Sequence, residues 1–247
     1  MDPVRDKLNP RNINITQEPF STNISSGWLP KDRPGSFLYI RPTVIGNGPH
    51  LGVQVPKEAL LFIIAVPWPD LTKMKKEGET VSKGLKLFAS NPDAIRAWPG
   101  GFGWAKLGAN YGPSLQSHGK AQAMGFDQIL WLFGEDRQVT EAGASNFFII
   151  WHNADTGRLE LVTAPLESQL ILPGVTRCSV LELVRERLSE QFVGKLAPLQ
   201  VVERTLTISE IEKAAQEGRI VESFVSGTAV SLIFGFIVFI LEIGTNG

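Results

Sequence analysis

Two residues with clear potential for chemistry are a lysine in a glycine-rich stretch and a glutamate beside an apolar run. Lys106 stands in AWPGGFGWAKLGANYG, residues 97–112, and Glu141 in QVTEAGASNFF, residues 138–148, immediately before a predicted strand. Glycines let other groups approach the lysine closely, and its amine can form a covalent bond with a carbonyl carbon. A fixed carboxylate can hold a ring nitrogen in its protonated form. Each residue alone is also common as an ordinary surface residue.

Two further stretches predict binding sites for an anion. LPGVTRCSV, residues 172–180, ends in a helix start, where Val175 and Thr176 can offer backbone and hydroxyl donors. SGTA, residues 226–229, is a second turn of small residues. A lysine-bound cofactor such as pyridoxal phosphate requires an amine, an acid and hydrogen-bond donors for its phosphate. From the residues alone, the pattern indicates an α/β domain with candidate anion sites and no more.

The composition argues against several broad classes of function. The 247 residues carry a formal net charge of −1, so we expect no general attraction to nucleic acid. A single cysteine excludes an internal disulfide framework and a multi-thiolate metal site. The three histidines are scattered singly, so we expect no metal site.

Apolar runs bounded by turn residues alternate with helical patterns, which predicts an α/β protein. The predicted strands cover residues 58–68, 85–90, 127–134, 146–153 and 159–165, and the first is expected to be covered on both faces. The predicted helices cover residues 113–125, 176–191 and 207–219. We expect Cys178, on the second helix, to be buried as a small hydrophobe.

The composition of the two ends differs from that of the centre. Residues 1–35 are polar, which predicts a poorly structured arm. We expect one domain over residues 36–230 and an atypical apolar tail over residues 231–247. The uncharged run at residues 229–241 has 13 residues, fewer than the ~20 that a membrane-spanning helix needs. We therefore expect a buried strand or core segment there and no membrane span.

Five motifs together resemble the branched-chain amino acid aminotransferases, which are fold-type IV pyridoxal-phosphate enzymes. The motifs occur in order and with compatible spacing: FLYIRPTVIG, RAWPGGFGWAKLGANYG, QILWLFGEDRQVTEAGASNFF, LILPGVTR and VSGTA. The resemblance implies a mixed α/β (α+β) fold, the large domain of that fold type, with the N-terminal small domain largely missing. It also implies that pyridoxal 5′-phosphate is the cofactor.

The resemblance assigns roles to ten positions. It implies that Lys106 is the catalytic lysine that carries the cofactor. The implied cofactor contacts are Lys106, Tyr111, Glu141, Val175, Thr176, Thr228 and Arg96. The implied substrate contacts are Tyr39, Arg41, Tyr111 and Ala229. No arginine before the first motif stands in a context that matches the family's phosphate-binding arginine.

The implied activity is transfer of the amino group of leucine, isoleucine or valine to 2-oxoglutarate. The implied partners are these branched-chain L-amino acids, their 2-oxo acids and a second copy of the chain in a homodimer. We expect the protein in the cytoplasm, with the mitochondrion as the alternative. Two other interpretations stay open: another fold-type IV activity (D-amino acid transaminase or aminodeoxychorismate lyase), or a catalytically incomplete remnant.

Overall fold

The computed structural model describes residues 37–49, 51–68, 84–188, 197–227, 233–234 and 238–239. The chain divides into two compact units, Met1–Thr80 and Val81–Gly247. The first two described ranges belong to the first unit, and the other four belong to the second.

The described part of the first unit contains an antiparallel β-hairpin. Strand β1, Phe37–Asn47, pairs along its whole length with β2, Glu58–Trp68. The predicted strand at residues 58–68 is confirmed, but the expected burial on both faces is wrong, because most of its side chains are exposed. Apolar and β-branched residues are enough to favour a strand, whereas burial needs a packing layer that the hairpin itself does not contain.

The second unit contains a mixed sheet with nine strands in its described residues. The strands are β3 (Lys86–Ala89), β4 (Gln128–Phe133), β5 (Gln138–Ala142), β6 (Ser145–His152), β7 (Leu159–Thr163), β8 (Gln200–Glu203), β9 (Ile220–Ser226), β10 (Ile233–Phe234) and β11 (Val238–Phe239). The main path runs β10-β9-β6-β5-β4-β3-β11, and β7 joins β6 to β8. Ser145 and Asn146 of β6 pair with β5, and residues 148–152 of β6 pair with β7.

In the described residues of this unit, three helices pack on the sheet, on both of its faces. They are α1 (Gly112–Ala123), α2 (Val175–Arg187) and α3 (Ile208–Gln216). Buried residues of α2 pack with Phe148 and Phe224, and buried residues of α3 pack with Phe147 and Val225. Neighbouring residues of a strand point to opposite faces, so α2 and α3 cover opposite sides of the sheet. The predicted α/β class is confirmed.

Local signals in the sequence locate the helices well. Pro113 lies in the first turn of α1, and Gly125 follows its end with a positive φ of 84°. A capping box opens α3: Thr207 accepts a bond from the Glu210 amide, and the Glu210 side chain accepts one from the Thr207 amide. The predicted strands at residues 85–90, 127–134, 146–153 and 159–165 correspond to β3, β4, β6 and β7.

One burial prediction on α2 is wrong. Cys178 is exposed, and its thiol lies 3.5 Å from the Oε1 atom of Glu182, one turn further on. The inward face of α2 is set instead by Arg177, Leu181 and Val184. Cys178 is turned by about 100° around the helix from Arg177, so it falls beside this inward face and is exposed.

The apolar run at residues 229–241 lies largely outside the described residues, apart from the two short strands β10 and β11. In the part of the chain that the structure describes, every helix is too short or too polar to cross a membrane.

Candidate active site

The glycine-rich segment presents Lys106 on the surface of the second unit. A 3-10 turn, Gly108–Asn110, follows the lysine and leads directly into α1. Asn110 holds the segment in shape, because its Nδ2 atom donates to the carbonyl oxygens of Phe102 at 2.7 Å and Ala105 at 2.9 Å. Lys106 itself is exposed, and its Nζ atom lies 5.5 Å from the centre of the Tyr111 ring. The structure thus brings two predicted site residues together.

Close packing fixes the start of this segment. A Cβ atom at Gly103 would lie 2.5 Å from the Ala97 Cβ, 2.8 Å from the Gln169 carbonyl oxygen and 3.0 Å from that of Leu170. These distances are too short for any residue with a side chain, so glycine is required for steric reasons here. The glycine-rich segment that carries Lys106 therefore packs against the loop at residues 169–172.

Glu141 is buried and accepts a hydrogen bond from the same loop. It is the fourth residue of β5, not a residue before a strand as predicted, and it is 3% exposed. Its Oε2 atom is 3.1 Å from the guanidinium of Arg96, and its Oε1 atom accepts a bond of 2.8 Å from the Leu172 amide. The same Arg96 guanidinium donates to the Leu170 carbonyl oxygen. Glu141 and Arg96, both predicted as cofactor contacts, therefore form a buried ion pair.

Burial dominates the electrostatics of this carboxyl group. Desolvation raises the pKa of Glu141 above its ordinary value of 4.5, although the Arg96 charge, the Leu172 amide and the Lys106 charge all oppose the rise. The Lys106 charge thus acts on Glu141, so the two residues interact electrostatically. A buried acid with a perturbed pKa beside an exposed amine is typical of a functional site.

A row of polar side chains crosses the sheet at Glu141. Glu141 on β5 pairs with Asn146 on β6, and Asn146 pairs with Ser226 on β9. Side chains of directly paired residues share one face, so all three point to the face covered by α2. The row is buried, and the Ser226 hydroxyl has no hydrogen-bond partner in the described residues.

Sequence reasoning missed Asn146. Its side chain donates to Glu141 Oε1 at 3.3 Å and to the Leu172 carbonyl oxygen at 2.9 Å. One signal was available: Asn146 is the polar residue that opens the apolar run FFIIW, and a buried polar group needs partners.

The predicted anion site lies at the start of α2. Gly174 is the N-cap and provides no side chain, so no side-chain bond occupies the first-turn amides of this helix. Val175 is exposed and Thr176 half-buried. Free amides and the positive end of the helix dipole favour an anion at this position.

The remaining predicted residues belong to the first unit or lie outside the described residues. Tyr39 and Arg41 are on β1 of the first unit, where the Arg41 guanidinium donates to the Tyr39 hydroxyl. Thr228 and Ala229 lie outside the described residues. Within the described ranges, no three His, Cys, Asp or Glu side chains are placed to hold a metal ion.

The fold and the site together define an α/β protein with an exposed lysine, a buried acid and an open helix N-terminus on one unit. Comparison with known proteins places this arrangement in a family. Residues 12–233 match the model of the amino-transferase class IV family. The chain belongs to that family, and the resemblance drawn from the five motifs is confirmed.

Named relatives are branched-chain-amino-acid aminotransferases. The mitochondrial protein of Rattus norvegicus is 42% identical over 206 residues, covering 83% of this chain and 48% of that protein. The cytosolic protein of Mus musculus is 43% identical over 210 residues, covering 83% and 49%. The chain therefore spans about half the length of the curated relatives it matches.

A solved structure supports the same assignment. It is a branched-chain amino acid aminotransferase from T.th. complexed with N-(5′-phosphopyridoxyl)-L-glutamate. It matches with a TM-score of 0.58 and 25% identity, over 82% of this chain and 55% of that chain.

Proposed function

We propose that the protein is a pyridoxal-phosphate-dependent transaminase that moves the amino group of leucine, isoleucine or valine to 2-oxoglutarate. The observation that carries the proposal is the pair formed by exposed Lys106 and buried Glu141, in a chain of this family. The named relatives are branched-chain aminotransferases, and the solved aminotransferase complex holds a phosphopyridoxyl compound.

The residues present fit this cofactor on three grounds. Glu141 is a buried carboxyl group whose four lone-pair positions are only partly used by Arg96, Leu172 and Asn146. Lys106 is exposed and has no ion-pair partner among the described residues, so its amine is accessible. The start of α2 offers amides for a phosphate. A base, an acid and an anion site are therefore all available in one unit.

When bound, the cofactor supplies an electron sink for the pair of electrons left when the bond between Cα and its hydrogen breaks. In this proposal the Lys106 amine would carry the cofactor and would then move the proton released from Cα. Glu141 would hold the proton of the ring nitrogen, and the Arg96 charge favours the charged form of the Glu141 carboxyl against the effect of burial. Tyr111 would orient the ring hydroxyl, while Val175 and Thr176, with Thr228, would bind the phosphate.

The substrate contacts are part of the same proposal. Tyr39 and Arg41 on β1, Tyr111 beside the lysine and Ala229 are assigned to the substrate by the motif match alone. A guanidinium such as that of Arg41 can bind a carboxylate with two parallel hydrogen bonds. We assign the catalytic machinery to residues 36–230, flanked by an arm over residues 1–35 and a tail over residues 231–247.

We also propose a homodimer and a cytoplasmic location, with the mitochondrion as the alternative compartment. The relatives support no choice between the compartments, because one is named mitochondrial and another cytosolic. Light scattering of the purified chain would test the dimer, and cell fractionation would test the location.

The decisive experiment compares Lys106→Arg with a matched control. Arginine keeps the positive charge but stays protonated, so it can neither bond covalently to the cofactor nor accept a proton. Lys120→Arg makes the same change at an exposed position on α1. We expect transamination of leucine with 2-oxoglutarate, and the visible absorbance of lysine-bound pyridoxal phosphate, to be lost in Lys106→Arg and kept in Lys120→Arg.

The same assay separates the alternatives. Faster turnover of D-alanine than of L-leucine would favour a D-amino acid transaminase, and release of pyruvate from aminodeoxychorismate would favour the lyase. Cofactor binding without turnover of any of these substrates would favour an incomplete enzyme. Full leucine turnover by Lys106→Arg would contradict the proposed role of the lysine.

A further inference from the structure

The hydrogen bonds of Asn146 connect two parts of the candidate site that come from distant stretches of sequence. One part is Glu141 on β5, and the other is the loop that leads into α2. Asn146 touches both, through the 3.3 Å bond to Glu141 Oε1 and the 2.9 Å bond to the Leu172 carbonyl oxygen. Both of these partners are acceptors, so the amide must present its NH₂ group to them.

The three residues form a closed set of hydrogen bonds. Asn146 donates to Glu141 and to the Leu172 carbonyl oxygen, and the Leu172 amide donates back to Glu141 Oε1 at 2.8 Å. Asn146 is 4% exposed and Glu141 3%, so water offers little competition for these bonds. A shift of the loop would break at least one bond, and the set therefore fixes the Glu141 carboxylate relative to Leu172.

Gly174 extends this constraint to the start of α2. A Cβ atom at Gly174 would lie 2.2 Å from the Oδ1 atom of Asn146, a distance that no side chain allows. Gly174 has a φ of −66°, so the requirement for glycine is steric and not conformational. The Oδ1 atom of Asn146 thus packs against Gly174, the N-cap of α2. The first-turn amides of this helix are the proposed binding site for the phosphate.

We propose that Asn146 is a positioning residue that sets the distance between the Glu141 carboxylate and the N-terminus of α2. The inference rests on the proposed function, in which these two groups bind the ring nitrogen and the phosphate of one cofactor molecule. A rigid cofactor binds tightly only when both of its anchors stand at the right separation. Asn146 touches neither end of the cofactor in this proposal and acts through Glu141 and Gly174.

A matched control distinguishes positioning from simple support of the fold. Thr140 is a buried polar residue next to Glu141 on β5, and its hydroxyl donates to the Trp131 carbonyl oxygen at 3.0 Å. Neither Thr140 nor its partner Trp131 is hydrogen-bonded to Glu141, Asn146 or Leu172. Thr140→Val removes one buried hydrogen bond but none of those made by Glu141 or the loop, whereas Asn146→Ala removes bonds to both.

The first measurement uses the purified full chain without cofactor. A double-mutant cycle with Asn146→Ala and Glu141→Gln reports the coupling of the two side chains in the unfolding equilibrium. We expect a coupling of about fivefold in the unfolding constant, and none between Thr140→Val and Glu141→Gln. An Asn146–Glu141 coupling no larger than that of the Thr140 control would overturn the inference.

The second measurement adds pyridoxal phosphate. We expect Asn146→Ala to weaken binding about tenfold and to shift the pH at which the absorbance of the bound cofactor changes, because the ring nitrogen loses its aligned partner. Thr140→Val should change the dissociation constant by less than about twofold and leave that pH unchanged. Equal effects of the two variants would overturn the inference in favour of a structural role.

A second variant keeps the test decisive if Asn146→Ala does not fold. Asn146→Asp preserves the shape but replaces the donating NH₂ group by an acceptor, so it should weaken cofactor binding at least as much. Binding by Asn146→Asp equal to that of the parent would also overturn the inference. If the parent chain itself bound no pyridoxal phosphate, the proposed function would fail, while the cofactor-free cycle would still decide whether Asn146 holds Glu141.

Discussion

Replacing Arg96 by methionine should destabilise the protein in a way that depends on pH. The Arg96 and Glu141 side chains are 9% and 4% exposed, so the variant leaves a buried carboxylate without its counter-ion. Loss of one partner from a buried ion pair costs about 3–5 kcal/mol. We expect the lower end, about 3 kcal/mol at pH 8, because Glu141 keeps its hydrogen bonds from Leu172 and Asn146. For a chain of this size the melting temperature should fall by about 6–12 °C.

The pH dependence follows from the pKa of Glu141. Burial already raises this pKa above 4.5, and removal of the Arg96 charge raises it further. A group with a raised folded-state pKa destabilises the fold increasingly as pH rises from the unfolded value to the folded value. The cost of Arg96→Met should therefore shrink towards pH 4, leaving about 1 kcal/mol for the lost bond to the Leu170 carbonyl oxygen.

Urea unfolding of the cofactor-free protein at pH 4 and pH 8 measures both the cost of the unpaired carboxylate and the cost of the lost hydrogen bond. Lys213→Met is the matched control, because Lys213 forms a 4.0 Å ion pair with Glu217 that is largely exposed. That exposed pair should contribute less than about 0.5 kcal/mol at either pH. An Arg96→Met variant that lost the same stability at pH 4 and pH 8, or none at pH 8, would refute the electrostatic reasoning.

Three other predictions concern stability and reactivity. Gly103→Ala should cost about 1–3 kcal/mol in urea unfolding, because its Cβ would meet backbone oxygen at 2.8 Å, whereas Gly108→Ala, with no atom within 4 Å of the added Cβ, should change stability little. Although partial burial opposes it, hydrogen bonds from two arginines lower the pKa of Glu203, so its contribution is present above pH 4.5 and lost as pH falls through the folded-state pKa. Because solvent screens this partly exposed carboxylate, Glu203→Gln should lower the free energy of unfolding by only about 1 kcal/mol at pH 7 and by less at pH 3. An equal loss of stability at the two pH values would contradict this prediction. The hydrogen bond to Glu182 raises the pKa of the Cys178 thiol, so this exposed thiol should react slowly with a disulfide reagent at pH 7.5, and Glu182→Gln should speed the reaction.

Much of the local structure was determined by the sequence. The proline and glycine around α1, the capping box of α3 and four apolar runs of the sheet were enough to locate their elements, because capping and alternation act between residues close in the chain. The family could also be named from five short motifs, because their order and spacing are specific even though each motif alone is not.

Only the tertiary structure decided which partners the site residues have. Glu141 meets Arg96, 45 positions earlier, and Leu172, 31 positions later, and no periodicity in the chain encodes such contacts. The structure likewise placed Cys178 outside and left β2 exposed, because burial depends on what packs against an element. The sequence signalled only that Asn146 is a polar residue at the start of an apolar run, because its role arises from two acceptors and a glycine that the fold brings to it.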